Sequence, residues 1–456
     1  MADLEVVVGG GGNAALCAAI TAREKGAAVT LFESAPEDMR GGNTRHTRNL
    51  RASHAEPLET LEDSYTEDEF WDDILKVTHG NTDETLTRLM IRQSPLLLSW
   101  LKARDIHFQP ALSGTLSLHR TNAFFLGGGK TLLNKLYSHA EKIGVSVIYD
   151  SEVTSVAISN NRAHSINVRT ATDTKTFGIK HLIAASGGFQ ANEGWMREAW
   201  GEKADNFLIR GTPHNRGTLL KTLIESGAQT VGDPTQCHAV AIDARAPKYD
   251  GGIVSRLDSV SFGIVVNKEG LRFYDEGEDF WPKRYAIWGR LVAQQPDQIA
   301  YSIVDSKIKD RFMPSVFPPI EASSLDELAT ELGVNSSSLI NTVRQFNQAV
   351  QKGDYDSSKL DGKQTLGLNP DKTNWALTLD SPPFLAYPLK PGITFTYLGL
   401  KINEQAQVLN QSNTPFDNVT AAGEIMAGNI LGEGYCAGTG MTIGGVFGRI
   451  AGNISP

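Results

Sequence analysis

Residues 5–19 read EVVVGGGGNAALCAA, an apolar run followed by four glycines and a segment rich in alanine. This pattern is typical of a β-strand, a tight glycine turn and the start of a helix. The best register of the dinucleotide-binding fingerprint puts its glycines at Gly10 and Gly12 and its small residue at Ala15. In that fingerprint the first glycine permits the turn, the second lets the backbone approach a pyrophosphate, and the small residue lets helix and strand pack closely.

A second apolar run, residues 28–32, ends at Glu33, 18 residues after the small residue of the fingerprint. An acid at this distance can accept hydrogen bonds from ribose hydroxyls, and the helix N-terminus offers its N–H groups to phosphates. The alternative register, which uses Gly9, Gly11 and Ala14, leaves Glu33 one residue further away. Because strand, turn, helix and acid occur together, we predict a Rossmann-like dinucleotide-binding domain in the first register.

Composition narrows the class of protein. The chain has 456 residues, 40% of them hydrophobic, which is enough for two domains with sizeable cores. With 43 Lys and Arg against 52 Asp and Glu, the net charge of −9 offers no global basic field to nucleic acid or to an anionic membrane. The three cysteines, Cys17, Cys237 and Cys436, form no CxxC spacing, so we expect free thiols rather than an iron–sulfur cluster, c-type haem or metal site.

The hydropathy pattern of the sequence indicates where in the cell the protein is expected to lie. No segment approaches 18 consecutive apolar residues, so we expect no transmembrane helix and no direct membrane insertion. The apolar run near the N-terminus belongs to the first strand and follows acidic rather than basic residues, which argues against a signal peptide. We therefore predict a cytoplasmic protein.

Amino-acid composition and the pattern of predicted strands and helices divide the chain into three parts. Residues 1–234 form the first part of the dinucleotide-binding domain. Residues 235–375 are richer in aromatics and prolines and mix short strands with helices, so they are predicted to form an inserted α+β domain. Residues 376–456 return to the first domain. Local signals predict that Thr82 caps a helix over residues 83–101 and that Ser324 caps a helix starting at residue 325.

Five motifs carry a resemblance to a known family. They are GGGNAAL at 10–16, GNTRHTRN at 42–49, NAFFLGGG at 122–129, GITFTY at 392–397 and GYCAGTGMT at 434–442. On these motifs the whole chain resembles the flavoproteins of the fumarate reductase, succinate dehydrogenase and ketosteroid dehydrogenase family. Within that family it is most similar to the tricarballylate dehydrogenases. The resemblance implies an α/β fold, FAD bound in extended form by a Rossmann-like domain, and an inserted domain that caps the flavin.

The resemblance also implies which residues contact the cofactor. From the ADP half to the flavin ring these residues are Gly10, Gly12, Ala15, Glu33, Gly42, Asn43, Thr44, Val153, Ser186, Gly187, Glu424, Gly440, Thr442 and Ile443. Within this set Val153 matches a backbone contact to adenine, and Glu424 matches an acid near the ribityl chain. Thr442 and Ile443 match contacts to the pyrimidine edge of the flavin.

In this family the inserted domain supplies catalytic groups. Residues 236–238 (QCH) match a Gln-x-His motif whose histidine, here His238, binds a substrate carboxylate. Residues 271–276 match an Arg-Phe-x-x-Glu strand that a proton-transferring arginine follows; the best match is Arg284, with Arg290 as the competitor. Fumarate reductases carry a substrate-binding histidine at the position of Thr394 or its neighbour, which favours a different acid as substrate here.

Cationic side chains cluster after the predicted flavin loop. Arginine forks bind carboxylates bidentately, so such a cluster fits an acidic substrate. We expect Arg48 and Arg120 to be the first substrate ligands. Further candidates are His46, Thr394 and Arg290.

These features predict an FAD-dependent enzyme that removes two hydrogens from adjacent carbons of a small polycarboxylate, with tricarballylate to cis-aconitate as the leading case. FAD would supply the redox chemistry, and the protein would supply placement and charge. The alternatives are a fumarate reductase-like or ketosteroid dehydrogenase-like enzyme of the same fold, or an electron-transfer flavoprotein subunit that is active only in a complex. Because the sequence has no cluster, haem or second nucleotide motif, we expect the reduced flavin to pass its electrons to a separate electron-acceptor protein, a quinone-linked partner or oxygen.

Overall fold

The computed structural model describes residues 3–110, 118–252, 255–312 and 315–454, with the backbone alone at residues 282 and 283. The strands are β1 Leu4–Gly9, β2 Val29–Phe32, β3 Asn49–Arg51, β4 Asn122–Phe124, β5 Ser146–Ile148, β6 Glu152–Ser159, β7 Arg162–Arg169, β8 Thr174–Ala184, β9 Leu208–Ile209, β10 Thr230–Val231, β11 Cys237–Asp243, β12 Ile264–Asn267, β13 Ala300–Asp305, β14 Ile320–Ala322, β15 Phe384–Thr396, β16 Gly399–Leu400, β17 Gln407–Leu409 and β18 Pro415–Ala421. The α-helices are α1 Asn13–Glu24, α2 Glu67–Thr78, α3 Glu84–Lys102, α4 Gly128–Lys142, α5 Glu193–Trp200, α6 Thr218–Glu225, α7 Trp281–Arg284, α8 Trp288–Ala293, α9 Leu325–Leu332, α10 Ser336–Ala349 and α11 Thr439–Ala451.

The larger sheet has the order β17-β18-β8-β1-β2-β5 and is parallel from β18 to β5. Strand β1 lies inside it, with Val7 opposite Thr30 on one side and Leu182 on the other. Val7 and Val8 are completely buried, which accounts for the continuous apolar run that opens the sequence. Strands β6 and β7 continue from β8 as an antiparallel meander. The predicted Rossmann-like α/β class is confirmed.

Helices α1 and α11 pack side by side on this sheet through small residues. Ala15 is completely buried in α1, as the fingerprint requires for close helix packing. A Cβ on Gly448 of α11 would lie 2.5 Å from the Ala14 carbonyl oxygen, so only glycine fits at this contact. The two helices therefore bring the N-terminal fingerprint and the C-terminal motif together.

The second sheet has the order β11-β15-β13-β12, with β14 and β9 also paired to β15. Its strands β9 and β15 lie before and after the range of residues 235–375 that was predicted for the inserted domain. The long strand β15 pairs with β11 along one edge and with β13 along the other, so its residues belong to the centre of this sheet. The chain returns to the larger sheet only after β15, at β17 and β18.

Helix caps follow the sequence signals with one exception. The Ser324 side chain accepts from the Glu327 N–H at the start of α9, as predicted. At the start of α3 the cap is Asp83, whose carboxylate accepts from the Leu86 N–H at 2.9 Å, and not Thr82. The Thr82 hydroxyl instead donates to the Ile430 carbonyl at 2.7 Å.

Three features of the described residues bear on the expected chemistry. None of their helices is long and apolar enough to cross a membrane. Cys17, Cys237 and Cys436 are buried, and none of them forms a disulfide within the part of the chain that the structure describes. Nor does this part of the chain contain a group of three or more His, Cys, Asp or Glu side chains that could hold a metal ion.

Candidate active site

A single cleft is lined by the glycine turn after β1 at one end and by residues of the second sheet at the other. Its nucleotide end includes residues 9–13, 33–34, 151–153 and 216–219. Its central part includes residues 42–44, 186–187, 422–424, 438 and 440. Most residues predicted to hold the cofactor therefore line this one cleft: Gly10, Gly12, Glu33, Gly42, Asn43, Thr44, Val153, Ser186, Gly187, Glu424 and Gly440.

The glycine turn is shaped by contacts that exclude side chains. Gly10 has φ +121°, and a Cβ there would lie 2.3 Å from the Ala185 carbonyl oxygen. A Cβ on Gly11 would lie 2.2 Å from the Glu33 Oε2 atom. Gly12 faces more open space, with the Thr44 Oγ1 atom 3.4 Å from a built Cβ. Backbone N–H groups are thus left accessible at the start of α1, where a pyrophosphate can be bound.

Glu33 is fixed at the nucleotide end of the cleft by backbone hydrogen bonds. It is buried, and its Oε1 and Oε2 atoms accept from the Ala35 N–H at 3.0 Å and the Gly41 N–H at 3.1 Å. Because a carboxylate has about four acceptor positions, two backbone donors leave it able to bind hydroxyl groups of a ligand. The Tyr137 hydroxyl donates to the Gly11 carbonyl at 2.8 Å, beside Glu33.

Two buried polar groups in the middle of the cleft fit a flavin nucleotide. The Ser186 hydroxyl is buried and has no hydrogen-bond partner among the described residues. Glu424 accepts from the Thr396 N–H at 2.9 Å and from Asn215 Nδ2 at 3.2 Å, and burial raises the pKa of its carboxyl to about 7. Both line the cleft, so they can exchange hydrogen bonds with the polar chain of FAD.

Three residues expected at the cofactor are buried outside the cleft. Ala15 packs within α1. The Thr442 hydroxyl donates to the Arg51 carbonyl at 2.6 Å, and Ile443 is completely buried. The helical repeat explains why the side chains of Thr442 and Ile443 point away from the cleft, because Gly440, Met441 and Gly444 occupy the face of α11 that lines it.

The other end of the cleft carries three arginines, which we call the arginine cluster: Arg48, Arg210 and Arg256. Arg256 Nη2 donates to Asp258 Oδ2 at 2.7 Å. Arg210 donates from Nε to the Gly252 carbonyl at 3.1 Å and from Nη1 to the Thr394 hydroxyl at 3.3 Å. Arg48 and Arg210 have no carboxylate among their hydrogen-bond partners in the described part of the chain.

Burial and mutual repulsion make the arginine cluster electrostatically unusual. Burial, followed by the charge of Arg256, lowers the pKa of Arg48 to about 10. Burial lowers the pKa of Arg210 to about 10 as well, and Arg256 again adds to the effect. Burial raises the pKa of Asp258, but its ion pair with Arg256 outweighs this and holds the pKa below its ordinary value. At neutral pH the cluster is therefore positively charged and incompletely neutralised.

His238 lies where the Gln-x-His motif predicts, beside the arginine cluster. Its ring stacks on the Tyr435 ring, with centroids 3.8 Å apart and planes at 8°. Burial, followed by the charges of Arg210 and Arg256, lowers its pKa well below 6.5, so the imidazole is neutral at pH 7. Its Nε2 atom is buried and has no hydrogen-bond partner among the described residues, which leaves it for a ligand.

His46 and Thr394 also line the cleft as predicted. His46 Nε2 lies 2.6 Å from Asp250 Oδ1, and burial lowers its pKa despite this partner. The Thr394 hydroxyl accepts a hydrogen bond from Arg210, and so it helps to fix the position of that guanidinium in the cleft.

Three predicted arginines lie outside the residues that line the cleft. Arg284 donates from Nε to Glu278 at 2.8 Å and from Nη2 to the Tyr274 hydroxyl at 2.9 Å. Near Arg284, the side chains that line the cleft are those of Trp281 at the start of α7 and Tyr285 directly after it.

The other two are held by surface or rim partners. Arg290 bonds to Gln236 and lies 3.7 Å from a carboxylate oxygen of Glu433. Arg120 forms a fork with Glu69 and a contact of 3.3 Å with Asp63.

Sequence reasoning missed several residues at this end of the cleft: Arg210, Arg256, Trp281, Tyr285 and Tyr435. Tyr435 lies inside the GYCAGTGMT motif, and Tyr285 directly follows the predicted Arg284, so the sequence could have indicated both. Arg210 and Arg256 lie in loops that follow β9 and β11 of the second sheet, and they carry no local signal.

The family model for an FAD binding domain matches residues 5–442. The chain belongs to this family. Its cofactor is FAD, as predicted, and the fold and the cleft described above agree with that assignment.

Curated relatives extend the comparison over nearly the whole chain. The NADH:fumarate oxidoreductase of Klebsiella pneumoniae (strain 342) is 28% identical over 98% of this chain and 47% of its own length. The NADH:acrylate oxidoreductase of Vibrio harveyi is 26% identical over 98% of this chain and 50% of its own length. This chain therefore spans about half the length of these relatives. Their names are those of oxidoreductases, in agreement with the predicted enzyme class.

Solved structures show the same fold. A flavocytochrome c3 fumarate reductase in an open conformation has a TM-score of 0.75 at 23% identity, covering 99% of this chain and 77% of its own. The 3-ketosteroid delta1-dehydrogenase of Sterolibacterium denitrificans has a TM-score of 0.77 at 18% identity, covering 99% and 98%. Both parts of the predicted fumarate reductase and ketosteroid dehydrogenase resemblance are thus found at the level of fold.

Proposed function

We propose that this protein is an FAD-dependent oxidoreductase that moves hydrogen across a carbon–carbon bond of a small acid with at least two carboxylates. The arginine cluster at the end of the FAD cleft carries the proposal. Buried guanidinium groups without carboxylate partners are unfavourable in the free protein, and an anionic ligand is what stabilises them. Their planar forks favour carboxylates in particular.

The residues around the cluster support substrate placement. The cluster would bind and orient the carboxylates, while the neutral His238 would donate or accept one hydrogen bond at its free nitrogen. Trp281 and Phe395, which also line the cleft, would exclude water, so that the charged groups act in a medium of low dielectric constant. FAD, when bound, supplies the hydride-transfer chemistry.

Tricarballylate, oxidised to cis-aconitate, is our leading substrate. Three carboxylates on a short chain match three clustered arginines, and the sequence motifs resemble those of tricarballylate dehydrogenases. A reductase of an unsaturated acid is the second candidate. It is favoured by the names of the relatives, which act on fumarate and acrylate.

The test is an anaerobic panel scored by the visible absorbance of the flavin. Oxidised, FAD-loaded protein is mixed with tricarballylate, succinate, propionate or a 3-ketosteroid, and dithionite-reduced protein with cis-aconitate, fumarate, acrylate or urocanate. We expect bleaching by tricarballylate or recovery of absorbance with cis-aconitate or fumarate, and slower reactions with the monocarboxylates and the steroid. A steroid as the fastest substrate, or no reaction with any acid while FAD is bound, would contradict the proposal.

We further propose that a separate protein exchanges electrons with the flavin and that the protein works in the cytoplasm. The described chain offers one nucleotide cleft, and that cleft is matched to FAD. NADH added alone should leave the flavin oxidised on the time scale of the acid reactions. Rapid bleaching by NADH without a partner would rule out the separate carrier.

A further inference from the structure

The reaction proposed above needs a group that gives or takes a proton at the carbon next to a carboxylate. The arginine predicted for that role, Arg284, is paired with Glu278 outside the cleft. The described part of the chain places these titratable side chains along the substrate end of the cleft: His46, Arg48, Arg210, His238, Arg256, Tyr285 and Tyr435.

Most of these groups are unsuited to carrying the proton. His46 is bound to Asp250, and His238 is kept neutral by burial and by the neighbouring arginines, so it does not hold a proton for delivery. The Tyr435 hydroxyl accepts from the Gly440 N–H at 3.1 Å, and burial raises its pKa. Arg256 is engaged by Asp258.

Arg48 and Arg210 are proposed above to bind the substrate carboxylates, so Tyr285 remains as the candidate proton carrier. The side chain is 8% exposed and lines the cleft. The Arg256 guanidinium carbon lies 4.9 Å from its ring centroid, and the His238 ring meets it edge-on at 5.9 Å. Its phenol oxygen is near enough to interact electrostatically with each member of the arginine cluster. No hydrogen bond from this phenol to another described residue is present.

The position of Tyr285 favours proton transfer for a geometric reason. The Arg256 guanidinium carbon lies 4.9 Å from its ring centroid. Because the arginine cluster would hold the substrate carboxylates, the carbon next to a carboxylate is brought close to the phenol.

We propose that Tyr285 is the catalytic residue that transfers the proton at the carbon next to a substrate carboxylate. The inference rests on the proposed function. In the reducing direction the phenol O–H bond breaks and a C–H bond forms at that carbon. FAD, when bound and reduced, would supply the hydride that the neighbouring carbon gains as the carbon–carbon π bond is lost, and water would return the proton to the phenolate. Oxidation of the saturated acid is the reverse, with the phenolate taking the proton.

The test compares Tyr285→Phe with the unaltered protein, both loaded with FAD, in an anaerobic stopped-flow instrument. The substrate is the acid of the panel that reacts fastest with the unaltered protein. Loss of a positioned proton carrier should slow the flavin step about 10²- to 10⁴-fold. The dissociation constant of the acid, measured from the perturbation of the flavin spectrum, and the FAD content should stay unchanged, since phenylalanine keeps the packing.

A second readout separates proton transfer from a structural role. The unaltered protein should react more slowly in D₂O than in H₂O, and this solvent isotope effect should disappear or change in Tyr285→Phe. Tyr274→Phe is the matched control, because the Tyr274 hydroxyl bonds to Glu278 and Arg284 outside the cleft. It should leave rate, binding and isotope effect unchanged.

The outcomes are distinct. Tyr285→Phe with an unchanged rate, in a protein whose unaltered form reacts with an acid, would overturn the inference and leave the proposed function standing. Equal losses of rate and of acid binding would also overturn it, because they indicate packing rather than proton transfer. A loss in Arg284→Ala without one in Tyr285→Phe would return the role to Arg284. An unaltered protein that reacts with no acid would overturn the proposed function itself.

Discussion

Replacing Arg210 by methionine should separate the stability of the protein from its affinity for acids. Burial lowers the pKa of Arg210 from 12.5 to about 10. The charged form is thereby disfavoured by roughly 3 kcal/mol, at 1.36 kcal/mol per pKa unit. The hydrogen bonds to the Gly252 carbonyl and the Thr394 hydroxyl offset this by roughly 1.5 kcal/mol each. Arg210→Met should therefore change the free energy of unfolding by less than about 1 kcal/mol.

The same substitution should weaken acid binding strongly. A charge-assisted hydrogen bond is worth roughly 1.5–3 kcal/mol, so the dissociation constant of tricarballylate should rise about 10- to 150-fold. The assay is a titration of the FAD-loaded protein with tricarballylate, followed by the flavin spectrum. Unfolding in urea is measured at one fixed FAD concentration, because bound ligand shifts apparent stability.

Arg272→Met is the matched control. Arg272 is buried like Arg210, but it donates from Nε and Nη2 to Glu276 at 3.0 and 2.6 Å and lies outside the cleft. Its loss leaves a buried carboxylate without its ion partner, which should cost about 3–5 kcal/mol, with acid binding unchanged. If Arg210→Met is destabilised as much as Arg272→Met, or binds tricarballylate as tightly as the unaltered protein, the assignment of Arg210 as a carboxylate ligand is wrong.

Other predictions concern the cofactor half of the cleft. In the apoprotein burial raises the pKa of Glu424 from 4.5 to about 7, so the folded state holds a proton that the unfolded state has lost, and the free energy of unfolding should fall by about 3 kcal/mol as pH rises through that window. Urea unfolding at about pH 5 and about pH 8 should show this fall. Glu424→Gln should remove it. Gly10→Ala should abolish FAD retention, measured as flavin released on denaturation, because its Cβ would lie 2.3 Å from the Ala185 carbonyl oxygen. Gly12→Ala has more room and should fold and bind FAD more weakly; a fully loaded Gly10→Ala protein would refute the turn geometry.

The first domain could be predicted from sequence because its signals are local. β1, the glycine turn, α1 and Glu33 lie within a few dozen residues, and each step of that motif has its own residue requirement. The contact of Gly11 with Glu33 was not predictable, since it depends on how the end of β2 returns to the turn. Asp83 was preferred to Thr82 as a helix cap because Thr82 is used by the distant Ile430 carbonyl.

The substrate end resisted prediction for a different reason. Arg210 follows β9, Arg256 lies in a loop after β11, and Arg48 follows the flavin loop, so only the fold brings them together. The resemblance pointed to the segment around Arg284, whereas which side chains of that segment line the cleft depends on the local turn of the backbone. His238 was found because the family resemblance supplied its Gln-x-His motif, although it lies on β11 next to a register shift between His238 and Ala239.

The central claim is that clustered, incompletely neutralised arginines select polycarboxylates in the FAD cleft. The most direct measurement is the dissociation constant of propionate, succinate and tricarballylate with the oxidised, FAD-loaded protein, taken from the flavin spectrum at one ionic strength. Each added carboxylate should tighten binding by at least about tenfold, as expected for one further charge-assisted contact. Equal affinity for the three acids, or tighter binding of propionate than of tricarballylate, would contradict the account.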